Sequence, residues 1–151
     1  MGVFFKDIIG QRGVVEQLKR CVDENCLAHA LLITGPRGNG KLAIAIALAN
    51  YMLCGNRSAD VCGLCPACVK LDKFIHSDLH FVFPVKKKKG SSSDSAPISD
   101  DYITEWRELL AKGAYFGYDD WLQKLDVENQ QPMIYERESS EILHKLSMQS
   151  R

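Results

Sequence analysis

The sequence lacks an excess of charge of either sign, because 19 Lys and Arg residues balance 19 Asp and Glu residues. Whole-chain charge therefore gives no indication of binding to nucleic acid or to an anionic membrane surface. A long hydrophobic run is also missing. The longest run, Leu42–Cys54, has 13 residues and includes Asn50, whereas a membrane-spanning helix needs about 20. We therefore predict no membrane partner.

The N-terminus has no apolar segment typical of a signal peptide, since Lys6 and Asp7 occupy the place where such a segment would lie. This predicts a cytoplasmic protein. The chain has 151 residues, about one domain. Its 46% hydrophobic and 25% charged residues are globular values, which exclude a disordered or fibrous chain.

The first half of the sequence alternates between helical and strand patterns. Apolar residues recur at helical spacing over residues 12–24. Short apolar runs, bounded by Gly or Pro, predict buried strands at Ala30–Thr34 and Leu79–Phe83. Between these strands, two further helices are predicted at residues 41–53 and 66–75. The alternation is typical of an α/β fold.

The second half has a different composition. Residues 84–101 include a run of Lys, Gly and Ser with little that can be buried, so we predict a flexible loop there. Residues 102–151 predict three helices, around Trp106, around Trp121 and over residues 138–147. Because the two tryptophans lie at helical spacing from leucines, we predict that they belong to a core or an interface.

A glycine-rich turn between the first strand and its helix fits the first seven positions of the phosphate-loop pattern G-x-x-x-x-G-K-[ST]. Glycines allow consecutive backbone N–H groups to surround phosphate oxygens, and the following helix directs its positive dipole end at the same anion. The predicted phosphate-binding residues are Gly35, Pro36, Arg37, Gly38, Asn39, Gly40, Lys41 and Leu42.

The eighth position of this pattern is Leu42 rather than Ser or Thr. The hydroxyl at that position ligates Mg²⁺ in phosphate-loop enzymes, and an isobutyl group cannot replace it. We therefore predict a degenerate site that can hold ATP or ADP, gives Mg²⁺ a poor site, and hydrolyses nucleotide slowly.

Four of the six cysteines, Cys54, Cys62, Cys65 and Cys68, lie within 15 residues. Their spacing, with Cys62 and Cys65 in a C-x-x-C knuckle, supplies four thiolates for tetrahedral zinc. Four protein ligands leave no open position, so the predicted role of the metal is structural. The alternative is a group of buried reduced thiols. The nearby histidines His76 and His80 would be surplus to a full ligand set.

Several motifs occur in an order that resembles a known family. The stretch Phe5–Gln11 is followed by His29 and Ala30 before the strand, then by the phosphate loop, the four cysteines and His76-x-Asp78-Leu79. Over about residues 4–83 this order resembles the N-terminal AAA+ domain of bacterial DNA polymerase III clamp-loader subunits. Within that family, the stretch Phe81–Pro84 and the insertion after it resemble delta-prime chains of the Bacteroides group.

The resemblance implies a three-layer αβα P-loop NTPase fold of the AAA+ type. Residues 1–83 would form its N-terminal part, with a zinc module at 54–68 inserted into it. After the loop at 84–101, residues 102–151 would form a helical insertion and a return helix, and the chain would end before the Walker B strand. The family's strand order separates the first two strands, so we expect open sheet edges, exposed apolar faces and self-association of residues 1–151.

The resemblance also implies a function. Leu42 favours the delta-prime subunit, a stator in a five-subunit ring with gamma/tau and delta that loads the sliding clamp on primed DNA. We expect such a chain to be a non-catalytic component of the polymerase holoenzyme, with its arginine finger beyond residue 151. The alternatives are an ATP-hydrolysing gamma/tau motor, a nucleoside kinase, and a zinc-dependent DNA-binding module. The DNA-binding module would need basic residues among the cysteines, where Arg57 alone is found.

Overall fold

The computed structural model describes residues 3–87, 96–127 and 131–148. The described residues divide into two compact units, one of Met1–Leu79 with Ala111–Gly117 and one of His80–Leu110 with Tyr118–Arg151. They contain six α-helices and two short 3-10 turns, Phe5–Asp7 and Ser99–Tyr102. The helices are α1 (Arg12–Asp23), α2 (Lys41–Leu53), α3 (Pro66–Asp72), α4 (Ile103–Lys112), α5 (Tyr118–Lys124) and α6 (Glu136–Ser147).

The helices lie where the hydrophobic periodicity predicts them. Helix α2 begins directly after Gly40 and is rich in Ala, Leu and Ile, which favour the helical state. Helix α3 has Pro66 at its first position, where the missing N–H costs no hydrogen bond. It ends earlier than predicted, at Asp72, and Phe74 just beyond it has a left-handed backbone conformation (φ 55°) that a helix cannot continue through.

The core of the first unit forms where α2 meets α1 and the 3-10 turn at Phe5–Asp7. Phe5, Leu48 and Tyr51 are buried together, and partly buried apolar residues of α1 pack against them. Most of α2 is buried, as its nearly continuous apolar sequence predicts. Its one buried amide, Asn50, donates a hydrogen bond from Nδ2 to the carbonyl of Val3 at 2.7 Å. Helix α2 is therefore the central element of this unit.

The two predicted strands are not formed in the described part of the chain, so the predicted αβα sheet is not seen there. Ala30–Thr34 and Leu79–Phe83 have no regular secondary structure. The prediction that Ala30–Thr34 is buried is also wrong, because Leu31 is 47% exposed and Leu32 is 89% exposed. The physical reason is that a strand exists only through pairing with a neighbour. The one ladder-like contact described is an isolated antiparallel bridge between Val85 and Met133.

The core of the second unit is a cluster of three aromatic rings. Phe83 stacks on Trp106 with ring centroids 4.3 Å apart, and Trp121 meets both rings edge-on at 4.9 and 5.1 Å. The indole N–H of Trp121 donates to the carbonyl of Pro84 at 2.8 Å. Both tryptophans are buried, which confirms the prediction that they belong to a core.

The second unit also contains buried hydrogen bonds that join Phe83, Ser99 and Glu138. The Ser99 hydroxyl accepts a hydrogen bond from the Phe83 N–H at 3.1 Å, and it lies 3.3 Å from the Phe83 carbonyl. The Ser99 N–H donates to the buried carboxylate of Glu138 at 2.7 Å. Ser99, which lies within the predicted flexible loop at 84–101, is therefore buried in the second unit. Residues 88–95 of that loop lie outside the described residues.

The described helices include none with the length and apolar character that a membrane crossing requires.

The exposed apolar segment at residues 30–34 predicts self-association of residues 1–151. Leu32→Lys places a charge on this segment, so we expect it to shift the sedimentation distribution towards monomer. Leu64→Lys is the matched control, because Leu64 is 88% exposed against 89% for Leu32 and lies elsewhere in the first unit. Analytical ultracentrifugation measures the outcome. Monomeric wild-type protein, or equal effects of the two variants, would contradict the prediction.

Candidate metal centre and phosphate loop

The four clustered cysteines converge at the C-terminal end of α2. Cys54 follows the last residue of α2, Cys62 and Cys65 lie in the knuckle, and Cys68 lies in the first turn of α3. Their Sγ atoms all lie within 4.8 Å of one another. Cys54 and Cys68 are buried, and the other two are partly exposed. The sequence prediction that these four residues come together is therefore seen in the structure.

The separations between sulfurs exclude disulfides and are compatible with a metal centre. Hydrogen-bond-range Sγ–Sγ distances are 3.3 Å for Cys65–Cys68, 3.5 Å for Cys54–Cys68 and 3.6 Å for Cys54–Cys62. A disulfide would require about 2.05 Å. Four sulfurs placed tetrahedrally at about 2.3 Å from zinc would be about 3.8 Å apart. The observed distances are close to that value, so the cluster has the size of a zinc site.

Backbone N–H groups favour the thiolate form at the knuckle. The Cys68 N–H donates to Cys65 Sγ at 3.5 Å, so the Cys65 side chain caps helix α3. Hydrogen bonds from Cys68, first its backbone N–H and then its side chain, lower the pKa of Cys65 to about 6. N–H groups of Leu64 and Cys65 likewise lower the pKa of Cys62. Because thiolates are the metal-binding form of cysteine, this environment prepares the knuckle for a cation.

Cys68 has the opposite tendency. Burial, followed by hydrogen bonds with Cys65 and Cys54, raises its pKa above the usual range. A buried thiol among thiolates keeps its proton unless a cation compensates the charge. The cluster thus combines two thiols whose pKa is lowered with a buried thiol whose pKa is raised.

The loop between Cys54 and Cys62 is held to the N-terminal segment and to α1. The Asp60 carboxylate accepts from the Lys6 N–H at 2.9 Å, and the Lys19 ammonium donates to the Ala59 carbonyl at 2.6 Å. Arg57 pairs with Asp23 of α1 at 3.5 Å. These contacts join residues that are far apart in sequence, and the spacing of the cysteines does not predict them. The side chains of Arg57 and Lys19 are therefore engaged with the protein itself.

The predicted phosphate loop lies at the opposite end of α2. Residues 35–39 are exposed, whereas Gly40 is buried and is the N-cap of the helix. Gly38 and Gly40 have left-handed backbone conformations (φ 80° and 73°), which glycine adopts without a steric penalty. Lys41 and Leu42 are the first two residues of α2. The loop therefore leads into a helix N-terminus, as a phosphate site requires.

The Lys41 side chain folds back over this loop. Its ammonium group donates to the carbonyls of Gly35 at 2.8 Å and of Pro36 at 2.6 Å. These bonds hold the lysine above the loop and leave one of its three N–H donors for another acceptor. Leu42 is half-buried and presents no oxygen. Lys41 thus keeps one N–H donor for an anion, whereas position 42 lacks the hydroxyl ligand for Mg²⁺.

Comparison with known proteins identifies the family of this chain. A family model described as DNA polymerase III, delta subunit, matches residues 10–120. The chain belongs to this family. It is a clamp-loader family of the AAA+ class, so the family resemblance drawn from the motifs is confirmed.

The individual relatives include both delta' and gamma/tau subunits. The DNA polymerase III subunit delta' of Bacillus subtilis is 35% identical over 74 residues, which cover 49% of this chain and 22% of the relative. The gamma/tau subunit of Mycobacterium tuberculosis is 38% identical over 68 residues, 44% of this chain and 12% of the relative. The tau subunit of Bacillus subtilis is 34% identical over 123 residues, 74% of this chain and 22% of the relative.

The chain thus spans about a fifth or less of the length of these relatives. No solved structure matches it significantly. Since delta' and gamma/tau relatives both match, similarity alone does not choose between a stator and a motor.

A single cysteine substitution tests the metal centre. We expect Cys68→Ser to reduce bound zinc from one ion per chain to nearly none and to unfold the first unit. The reason is that structural zinc contributes about 10–16 kcal/mol, as much as the whole net stability of a domain. Cys26→Ser, at an exposed cysteine outside the cluster, is the control. Metal analysis and circular dichroism give the answer, and a folded wild-type protein without zinc would contradict the expectation.

Proposed function

We propose that this protein is a clamp-loader subunit of the delta-prime type, which acts as a stator when the sliding clamp is placed on primed DNA. The observation that carries the proposal is the family match over residues 10–120. Its partners are the gamma/tau and delta subunits and the clamp, and it works in the cytoplasm. Primed DNA meets it through the assembly.

Leu42 supports the stator rather than the motor. Mg²⁺ bridges the β- and γ-phosphates and neutralises the charge that develops during hydrolysis. With Leu42 at the second position of α2, the ion lacks its usual hydroxyl ligand. We therefore assign ATP or ADP binding to residues 35–42, through backbone N–H groups and Lys41, and we expect little hydrolysis there.

We assign a structural zinc ion to Cys54, Cys62, Cys65 and Cys68. The metal would join the end of α2 to the start of α3 and compensate the charge of four thiolates. The sulfur separations and the lowered pKa values of Cys62 and Cys65 support this assignment.

We also propose that residues 30–34 form a strand of the P-loop sheet once further strands lie beside them. Their position directly before the phosphate loop and the exposure of Leu31 and Leu32 support this. An unpaired strand leaves both backbone edges and apolar side chains accessible, so a neighbouring strand would bury them.

Two other functions have less support. A gamma/tau-type motor is favoured by the 38% identity to the gamma/tau subunit of Mycobacterium tuberculosis, but it requires the ligand that Leu42 lacks. A zinc-dependent DNA-binding module requires free basic residues near the metal. Instead, Arg57 pairs with Asp23, and Lys19 bonds to the Ala59 carbonyl.

Reconstitution separates stator from motor. The full-length protein is combined with the gamma/tau and delta subunits and the clamp, and clamp loading on primed DNA is measured. Omission of the protein should abolish loading. Lys41→Met removes the phosphate-loop charge, yet a stator does not depend on hydrolysis at its own site. We therefore expect the variant assembly to keep more than about half of the wild-type loading rate.

The control for this assay is Lys70→Met, an exposed lysine of α3. If Lys41→Met lowers loading by about tenfold or more while Lys70→Met does not, the motor is the better description. If omission of the protein has no effect, the clamp-loader role itself is wrong.

A further inference from the structure

Tyr115 lies beside the phosphate loop, in the segment Ala111–Gly117 of the first unit. Its phenol oxygen accepts a hydrogen bond from the backbone N–H of Ile9 at 3.0 Å. Its ring faces Gly40, where an added Cβ would lie 2.8 Å from Cε1 and 3.3 Å from Cζ. One side chain thus joins three stretches of sequence: the segment before α1, the N-cap of α2, and the segment at 111–117.

The contact constrains the residue at which the loop becomes a helix. Gly40 has φ 73°, a conformation that already favours glycine, and the Tyr115 ring occupies the space that any Cβ would need. The Gly40 carbonyl accepts the hydrogen bond of the Ile44 N–H at 2.8 Å, at the start of α2. Gly40 is also buried, unlike the five loop residues before it. Tyr115 therefore braces the end of the phosphate loop.

We propose that Tyr115 is a positioning residue for the phosphate site: by bracing Gly40 against the Ile9 backbone, it holds the loop in the geometry that binds a polyphosphate. This inference rests on the nucleotide site proposed above. Tyr115 itself need not touch the nucleotide. A loop whose last residue is already fixed loses less conformational freedom on binding, and this increases affinity.

The identity of Leu42 makes such a brace more important. Without the hydroxyl ligand for Mg²⁺, the attraction for phosphate must come from backbone N–H groups and from Lys41. Both depend on the shape of the loop, since Lys41 is held by the carbonyls of Gly35 and Pro36. The site therefore depends on loop geometry to an extent that a magnesium-assisted site does not.

Two substitutions separate the ring from the hydroxyl. Tyr115→Phe keeps the ring against Gly40 and removes the acceptor for the Ile9 N–H, whereas Tyr115→Ala removes both. Tyr118→Ala is the matched control, because Tyr118 is 43% exposed against 46% for Tyr115 and lies in the second unit.

The first measurement is the affinity of the full-length variants for ADP, by isothermal titration calorimetry without and with Mg²⁺. We expect Tyr115→Ala to weaken binding by about two- to thirtyfold, typical of residues that act through a neighbour. Tyr115→Phe, which loses only the bond to Ile9, should weaken binding less than Tyr115→Ala does, and Tyr118→Ala should bind within about twofold of the wild type. Unchanged or tighter binding by Tyr115→Ala overturns the proposal, as does an equal loss with Tyr118→Ala.

The second measurement does not need a nucleotide. Hydrogen exchange of the ligand-free protein reports the Ile9 amide, which bonds to Tyr115, and the Ile44 amide, which bonds to Gly40. We expect faster exchange at Ile9 in both Tyr115 variants and at Ile44 in Tyr115→Ala alone. If neither the wild type nor any variant binds ADP but this exchange pattern is found, the nucleotide site is wrong and the brace stands. If exchange at Ile44 is unchanged in Tyr115→Ala, the brace is overturned.

Discussion

The convergence of four thiols at the end of α2 is the constraint on which the first unit depends. Cys54 directly follows α2 and Cys68 lies in the first turn of α3, so a metal bound by the cluster would fix both helices at one point. Burial opposes metal binding in one respect, since desolvation raises the pKa of Cys68 and so disfavours its thiolate form. A cation bound by the thiolates removes that conflict. The loop at 55–61, between Cys54 and Cys62, is short, and a few contacts such as the hydrogen bond from the Lys6 N–H to the Asp60 carboxylate hold it.

Helix α2 connects the cysteine cluster to the phosphate loop, because the cluster is at its C-terminus and Gly40 is at its N-terminus. The helix is rigid and mostly buried, so its two ends have fixed positions relative to each other. The segment at residues 3–9 runs alongside, bonded to Asp60 near the cysteines and to Tyr115 near the loop. The candidate metal centre and the candidate nucleotide site are thus supported by the same helix and the same N-terminal segment.

The sequence was sufficient wherever the determining interactions are local. Helical periodicity placed α1, α2 and α4, and the spacing of the cysteines identified the metal cluster, since both signals lie within about 15 residues of chain. No strand is formed at Ala30–Thr34 in the described residues, because a strand requires a partner that local sequence does not supply. Tyr115 was missed for a similar reason: 106 positions separate it from Ile9, and no local pattern indicates a contact of that range. Phosphate binding by residues 35–42 and zinc binding by the cysteines stay predictions.

We propose that zinc bound by four cysteines holds the first unit together. X-ray absorption at the zinc edge, measured on the protein purified without added metal, reports the ligands of the ion. We expect one zinc ion per chain, with four sulfur neighbours at about 2.3 Å and no nitrogen or oxygen in the first coordination shell. A folded protein that contains no zinc, or a zinc ion with nitrogen or oxygen ligands, would contradict it.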